Sequence, residues 1–137
     1  MIVAKTYEAG TRLSPDELEM VRQCLAGDGC LDALTLELEY ASAEDLMRAV
    51  GVALGMDYID LSMATVDPNV LRRFPLRLIH RYGVFPLEHR DGSLIVATSN
   101  PFDLTALDAV GAAVPDSVVP VIALADELAR LVKVHLG

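Results

Sequence analysis

Prolines at 68, 75, 86, 101 and 120 decide what the second half of this chain can become. Proline fixes φ, offers no N–H and pushes the preceding residue out of the helical region. Asp67-Pro68 can open a helix, but Pro75 must stop it near Phe74. A second short helix fits Leu76 to Tyr82 and ends at Gly83. Val84–Glu88 reads as a strand. Pro86 confines it to an edge, or to a ladder position whose N–H is not needed. Arg90-Asp91-Gly92 is a hairpin signal, and Ser93–Thr98 is the buried strand that answers it. Ser99-Asn100-Pro101 breaks that strand. Asp103 then caps a helix expected to place Leu104, Leu107 and Val110 on its inner face. Val118–Ala123 is a third strand, and Pro120 predicts irregular pairing. Asp126 and Glu127 open a last helix with Leu124, Leu128, Leu131, Val132 and His135 on its apolar side. Its final turn carries Lys133 and His135, where the helix dipole favours them.

The first 55 residues have a different texture. Ser14, Pro15 and Glu17 make a capping box with proline at the first helical position. Leu18, Val21, Cys24 and Leu25 recur at helical spacing before Gly27. Residues 30–40 fit two periods: Leu34, Leu36, Leu38 and Tyr40 alternate like a strand, while Leu31, Leu34 and Leu38 share a helix face. Helix is the expectation. Ser42 caps a clearer helix with Leu46, Ala49, Val50, Ala53 and Leu54 inward and Gly55 as its stop. Met56–Leu61 is a short extended piece. The expected fold class is α+β: a small three-stranded sheet packed by helices (56–137), with an N-terminal helical subdomain (1–55).

Charge is unevenly spread. The net charge is −9, which repels nucleic acid and anionic lipid on average. Residues 1–70 carry four basic and thirteen acidic side chains, whereas residues 71–90 carry five Arg and one Glu. Arg72, Arg73, Arg77, Arg81 and Arg90 are thus a basic island. Two readings compete: a solvated face that pairs with the protein's own carboxylates, or a docking surface. No run of about 18 uncharged apolar residues exists to span a bilayer, and Met1–Glu8 has no apolar core of a signal peptide. Cys24 and Cys30 lack metal-site companions and are expected to be reduced thiols. His80, His89 and His135 are scattered.

Catalytic motifs are missing. There is no G-x-x-x-x-G-K-[ST], no G-x-G-x-x-G after a strand and no G-x-S-x-G. The acidic pairs Asp16/Glu17, Glu44/Asp45 and Asp126/Glu127 all fall in first helical turns, where capping and the dipole explain them. No enzyme activity, catalytic residue, metal or cofactor is expected.

From Gly55 onward the pattern becomes specific. It runs Tyr58-Ile59-Asp60-Leu61, Phe74-Pro75, Arg81-Tyr82-Gly83-Val84-Phe85-Pro86-Leu87, Asp91-Gly92-Ser93-Leu94-Ile95-Val96-Ala97, Asn100-Pro101-Phe102-Asp103, Asp108 and Pro120-Val121. This order resembles the N-terminal domain of type II secretion and type IV pilus assembly ATPases. Asn100 departs from the family's usual Asp, but both residues cap turns. The resemblance implies a docking or regulatory module without the ATPase motor. The implied partner is the cytoplasmic domain of an inner-membrane secretion or pilus component, or the motor ATPase itself. The implied location is the cytoplasm, peripheral to the inner membrane through that partner and without insertion. Arg72, Arg73, Arg77 and Arg81 are the candidate partner-binding residues. The alternative is a cyclic di-GMP sensor. Relatives that bind it open each helical repeat with Arg-Leu-Gly and close it with Gln. Here Cys30-Leu31-Asp32 and Ala53 stand at those positions, and Arg12-Leu13-Ser14 is at most a fragment. That departure argues against cyclic di-GMP.

Overall fold

The structure is a computed structural model that describes residues 13–27 and 31–136. Arg12 and Cys30, named above for the dinucleotide motif, lie outside the described residues, as do Met1–Glu8. The chain divides into two compact units, Met1–Tyr58 and Ile59–Gly137.

Within the first unit the helices are α1 (Pro15–Ala26), α2 (Leu31–Glu37) and α3 (Ala43–Leu54). Local chemistry sets their ends. The Ser14 hydroxyl accepts from the Glu17 N–H at 3.1 Å while the Glu17 carboxylate accepts from the Ser14 N–H at 2.9 Å. The Ser42 hydroxyl accepts from the Asp45 N–H at 3.1 Å. Gly55 closes α3 at φ 70°, a left-handed cap that glycine reaches without strain. The helical period wins at 31–37 because Leu34 and Leu38 are buried while Leu36 is 77% exposed, which a half-buried strand with all its leucines on one face would not give.

The second unit is a mixed sheet under helices. Its elements are α4 (Pro68–Arg73), α5 (Leu76–Tyr82), β1 (Val84–Arg90), β2 (Ser93–Thr98), α6 (Leu104–Ala113), β3 (Ser117–Ile122) and α7 (Ala125–Leu136). The strand order is β1-β2-β3. β1 and β2 form an antiparallel hairpin, and β3 joins β2 in parallel after α6. Asp91 (φ 53°) and Gly92 (φ 81°) make the tight turn between Arg90 and Ser93. Successive strand residues face opposite sides, so the unbroken burial of Leu94–Thr98 means helices or loops cover both faces of β2. Val84, Phe85, Leu87, Val96, Val110 and Leu128 anchor this core. The α+β class, the three strands and the N-terminal helices are as the sequence predicts.

Three expectations are corrected. First, α6 turns Ala106 and Val110 inward and leaves Leu104 66% exposed. Nearly every residue of this helix is small or apolar, so its pattern carried no phase. Second, Pro120 causes no irregularity: β3 pairs with β2 in unbroken register, Pro120 opposite Val96. An edge strand donates to its neighbour at alternate positions, so a missing N–H on the open side breaks no ladder bond. The irregularity falls on β1 instead, where the register shifts between Pro86 and Glu88. The bulged Leu87 carbonyl accepts from the Asp67 N–H at 2.8 Å. Third, Met56–Leu61 is mostly irregular, with a single bridge at Tyr58.

The open edge of β3 carries a prediction. Ile59 N–H donates to the Ile122 carbonyl at 2.8 Å, which covers one end. At the other end Val119 is 41% exposed. Proline interrupts such an edge as a template for another chain. Pro120→Val should therefore produce concentration-dependent association, read by sedimentation velocity, while the circular dichroism spectrum stays unchanged.

Candidate functional site

Two short helices present the basic residues. Asp67 caps α4 through the Asn69 N–H at 2.9 Å. Phe74 is buried, and Pro75 forces the chain to restart as α5. The interruption resets the helical phase, and Leu78 and Ile79 then turn inward. Arg72 and Arg73 fill the last turn of α4; Arg77 and Arg81 lie four apart on α5. Residues at that spacing are neighbours on one helix face. All four are exposed.

Among the described residues, no carboxylate forms an ion pair with Arg72, Arg73, Arg77 or Arg81. Other arginines behave differently. Arg22 pairs with Glu19 and Arg48 with Glu44, each within its own helix. The Arg22 hydrogen bond, helped by Gln23, lowers the pKa of the half-exposed Glu19 carboxyl to about 2. Arg90 pairs with Glu88 at 2.5 Å, which removes it from the basic island. Among the described residues, the reading in which the island pairs with the protein's own carboxylates thus holds for Arg90 alone.

The structure brings Arg77 and Arg81 into one groove of about 290 Å³. Leu78 and Tyr82 line its α5 side; Ala109, Ala112 and Ala113 of α6 line the other. The Arg81 guanidinium stands 5.4 Å from the centre of the Tyr82 ring, within range of a cation–π contact. Arg72 and Arg73 do not line this groove. The alanine wall escaped the sequence reading because nothing local marks it: α6 lies a full strand hairpin away in sequence. A planar guanidinium offers a fork of donors matched to carboxylate. Two of them beside small side chains can receive an acidic segment at close range. Among the described residues no group of three or more His, Cys, Asp or Glu could hold a metal ion, and no helix is long and apolar enough to cross a membrane.

Residues 54–137 match the MshEN domain family. The chain belongs to that family. MshEN is the N-terminal domain of type II secretion and type IV pilus assembly ATPases, which is the resemblance the motifs carried. The chain is 36% identical over 92 residues to the type IV pilus assembly ATPase PilB of Acinetobacter baylyi, covering 66% of this chain and 16% of that protein. It is 32% identical over 84 residues to PilB of Thermus thermophilus, covering 61% of this chain and 9% of that protein. It therefore spans a small part of these relatives. Among solved structures, MshE with cdg superposes with a TM-score of 0.69 at 24% identity, covering 90% of each chain. The N-terminal domain of XpsE superposes at 0.59 with 26% identity, covering 88% of this chain and 85% of that one. The MshE likeness establishes the fold. Asn100, the family departure, does cap its turn: its side chain accepts from the Phe102 N–H at 3.1 Å.

Proposed function

We propose that this MshEN domain is a non-catalytic docking or regulatory module of a type II secretion or type IV pilus machine. It works in the cytoplasm and reaches the inner membrane through its partner. Its helical part (1–55) and its α/β part (56–137) fold around separate cores. The docking surface is Arg72, Arg73, Arg77 and Arg81, with the Arg77/Arg81 groove at its centre. The observation that carries this is the group of exposed arginines left without carboxylate partners among the described residues, in a protein otherwise rich in carboxylates. Unpaired, exposed Arg contributes little to folding but is well placed for a partner's acidic groups. The partner is the cytoplasmic domain of an inner-membrane secretion or pilus component, or the motor ATPase. Capture of such purified domains by the immobilised chain should weaken as salt rises, because the contact is charge-led. Salt-independent or absent capture would overturn the reading.

A second reading is favoured by one observation, the superposition on MshE solved with cdg. The missing Arg-Leu-Gly and Gln positions argued against cyclic di-GMP, but that likeness lends the exclusion no support. Titration calorimetry with cyclic di-GMP separates the readings. The docking reading expects no heat at concentrations up to about 100 μM, a weak-binding limit of roughly −5.5 kcal/mol. Saturable heat would establish the sensor in its place.

A further inference from the structure

The two compact units do not share the net charge of −9 evenly. Residues 1–58 carry four basic and eleven acidic side chains, and residues 59–137 carry seven and nine. Among the described residues of the first unit, one large apolar side chain is exposed: Leu36 on α2. At about 100° per residue, the outer face of α2 runs Asp32, Leu36, Ala33, Glu37 over about 140° of arc. All four are exposed, while Leu34 and Thr35 are buried on the other side. Leu36 thus stands in water with a carboxylate on either flank. Neither Asp32 nor Glu37 has an ion-pair partner among the described residues. The Arg77/Arg81 groove has the opposite character: two arginines line it, no carboxylate does, and its far wall is alanine. Asp108, exposed on α6, is not part of that lining. The spacings also agree. Asp32 and Glu37 stand about 7.5 Å apart along the axis of α2, and Arg77 and Arg81 about 6 Å apart along that of α5.

We propose that the Arg77/Arg81 groove receives a second copy of this chain, through the Asp32–Glu37 face of that copy's α2. The proposal rests on the reading of this groove as a protein-docking surface, and names the occupant it takes when no other partner is bound. Leu36 enters against the alanine wall, and the Asp32 and Glu37 carboxylates accept hydrogen bonds from Arg77 and Arg81. Local charge complementarity selects this occupant: the chain's own acidic unit offers an apolar knob between two carboxylates, and its basic groove offers the matching hole. Two chains of like net charge repel at long range. Physiological salt screens that repulsion beyond about 8 Å, so the pairs in contact decide whether the complex forms and the repulsion keeps it weak. One short helix face in one groove is a small contact, with an expected dissociation constant on the order of 100 μM. Because both use one groove, a bound second copy and a bound partner exclude each other.

The test is sedimentation velocity on the full chain from about 10 μM to about 1 mM at physiological salt, a range that brackets that constant. The unaltered chain should associate reversibly. Arg77→Glu with Arg81→Glu, and separately Asp32→Lys with Glu37→Lys, should each weaken association by about tenfold or more. Mixing the two reversed forms should restore it, because intact face then meets intact groove and reversed face meets reversed groove. The reversals move the net charge of −9 by four units each way, to −13 and −5, so general attraction between opposite charges does not explain recovery. Circular dichroism checks that the variants stay folded. Should the double lysine form fail to fold, Glu37→Lys alone replaces it, in a last helical turn where the dipole favours lysine. A chain that stays monomeric throughout, a reversed form that associates unchanged, or a mixture no more associated than its components would overturn the proposal. Partner capture is measured apart from this, at about 1 μM chain, where self-association is negligible. Failure of the docking reading and failure of self-association are thereby told apart. The edge association expected of Pro120→Val uses none of these residues and should survive their reversal.

Discussion

Phe85→Ala is expected to destabilise the α/β unit by about 3–5 kcal/mol, the range for emptying a buried aromatic site. Phe85 is fully buried and is the largest of the fully buried side chains. Its ring lies 5.9 Å from that of His135, so it ties β1 to α7. It also sits one residue before Pro86, at the start of the register shift, where the strand cannot easily close on a void. For a unit of this size each kcal/mol moves the midpoint by about 4–8 °C, so a fall of more than about 10 °C should appear in thermal melts. Far-UV circular dichroism is the readout, since the chain has no tryptophan. Leu104→Ala is the control. The sequence placed Leu104 inward and the structure places it in solvent, so its cost should stay within about 0.5 kcal/mol. A large loss at Leu104, or none at Phe85, would contradict the packing described.

What could be read from the sequence was whatever is settled within four residues. The Ser14/Glu17 box, the Ser42 and Asp67 caps, the left-handed caps at Gly55 (φ 70°) and Gly83 (φ 65°) and the Asp91-Gly92 turn each close through neighbours in the chain. Prolines 68, 75 and 101 act on the residue before them, so the breaks they impose were legible too. Features settled by distant partners were not. The inner face of α6 depends on where α5 and β3 lie, and a helix built largely of alanine, leucine and valine does not announce it. The bulge at Leu87 is completed by Asp67, far upstream. Pro120 was legible as a proline but not as an edge position, because only the strand order shows which side of β3 is open. The candidate site divides in the same way. The Arg77/Arg81 spacing is local and was visible; the alanine wall, and the withdrawal of Arg90 onto Glu88, needed coordinates.

The double reversal Arg77→Glu with Arg81→Glu should abolish partner capture while leaving the fold intact. Both side chains are exposed and neither pairs with a described carboxylate, so stability should change by no more than about 0.5 kcal/mol. Binding loses more. Removing one partner of a desolvated, hydrogen-bonded charge pair costs about 2–5 kcal/mol, and reversal adds like-charge repulsion. A weakening of at least about 100-fold follows, measured against the purified cytoplasmic domain of an inner-membrane secretion or pilus component. Arg72→Glu with Arg73→Glu should do less. Those residues lie outside the groove, so their reversal should slow association at low salt and change dissociation little. Arg77→Lys with Arg81→Lys separates geometry from charge. Lysine keeps the charge but not the planar fork, so a bidentate contact predicts partial loss and simple steering predicts none. Full capture by the double Glu variant would remove this surface from the docking reading. Unfolding of that variant would instead show an internal structural role for the two arginines, which their exposure and their lack of ion pairs among the described residues argue against.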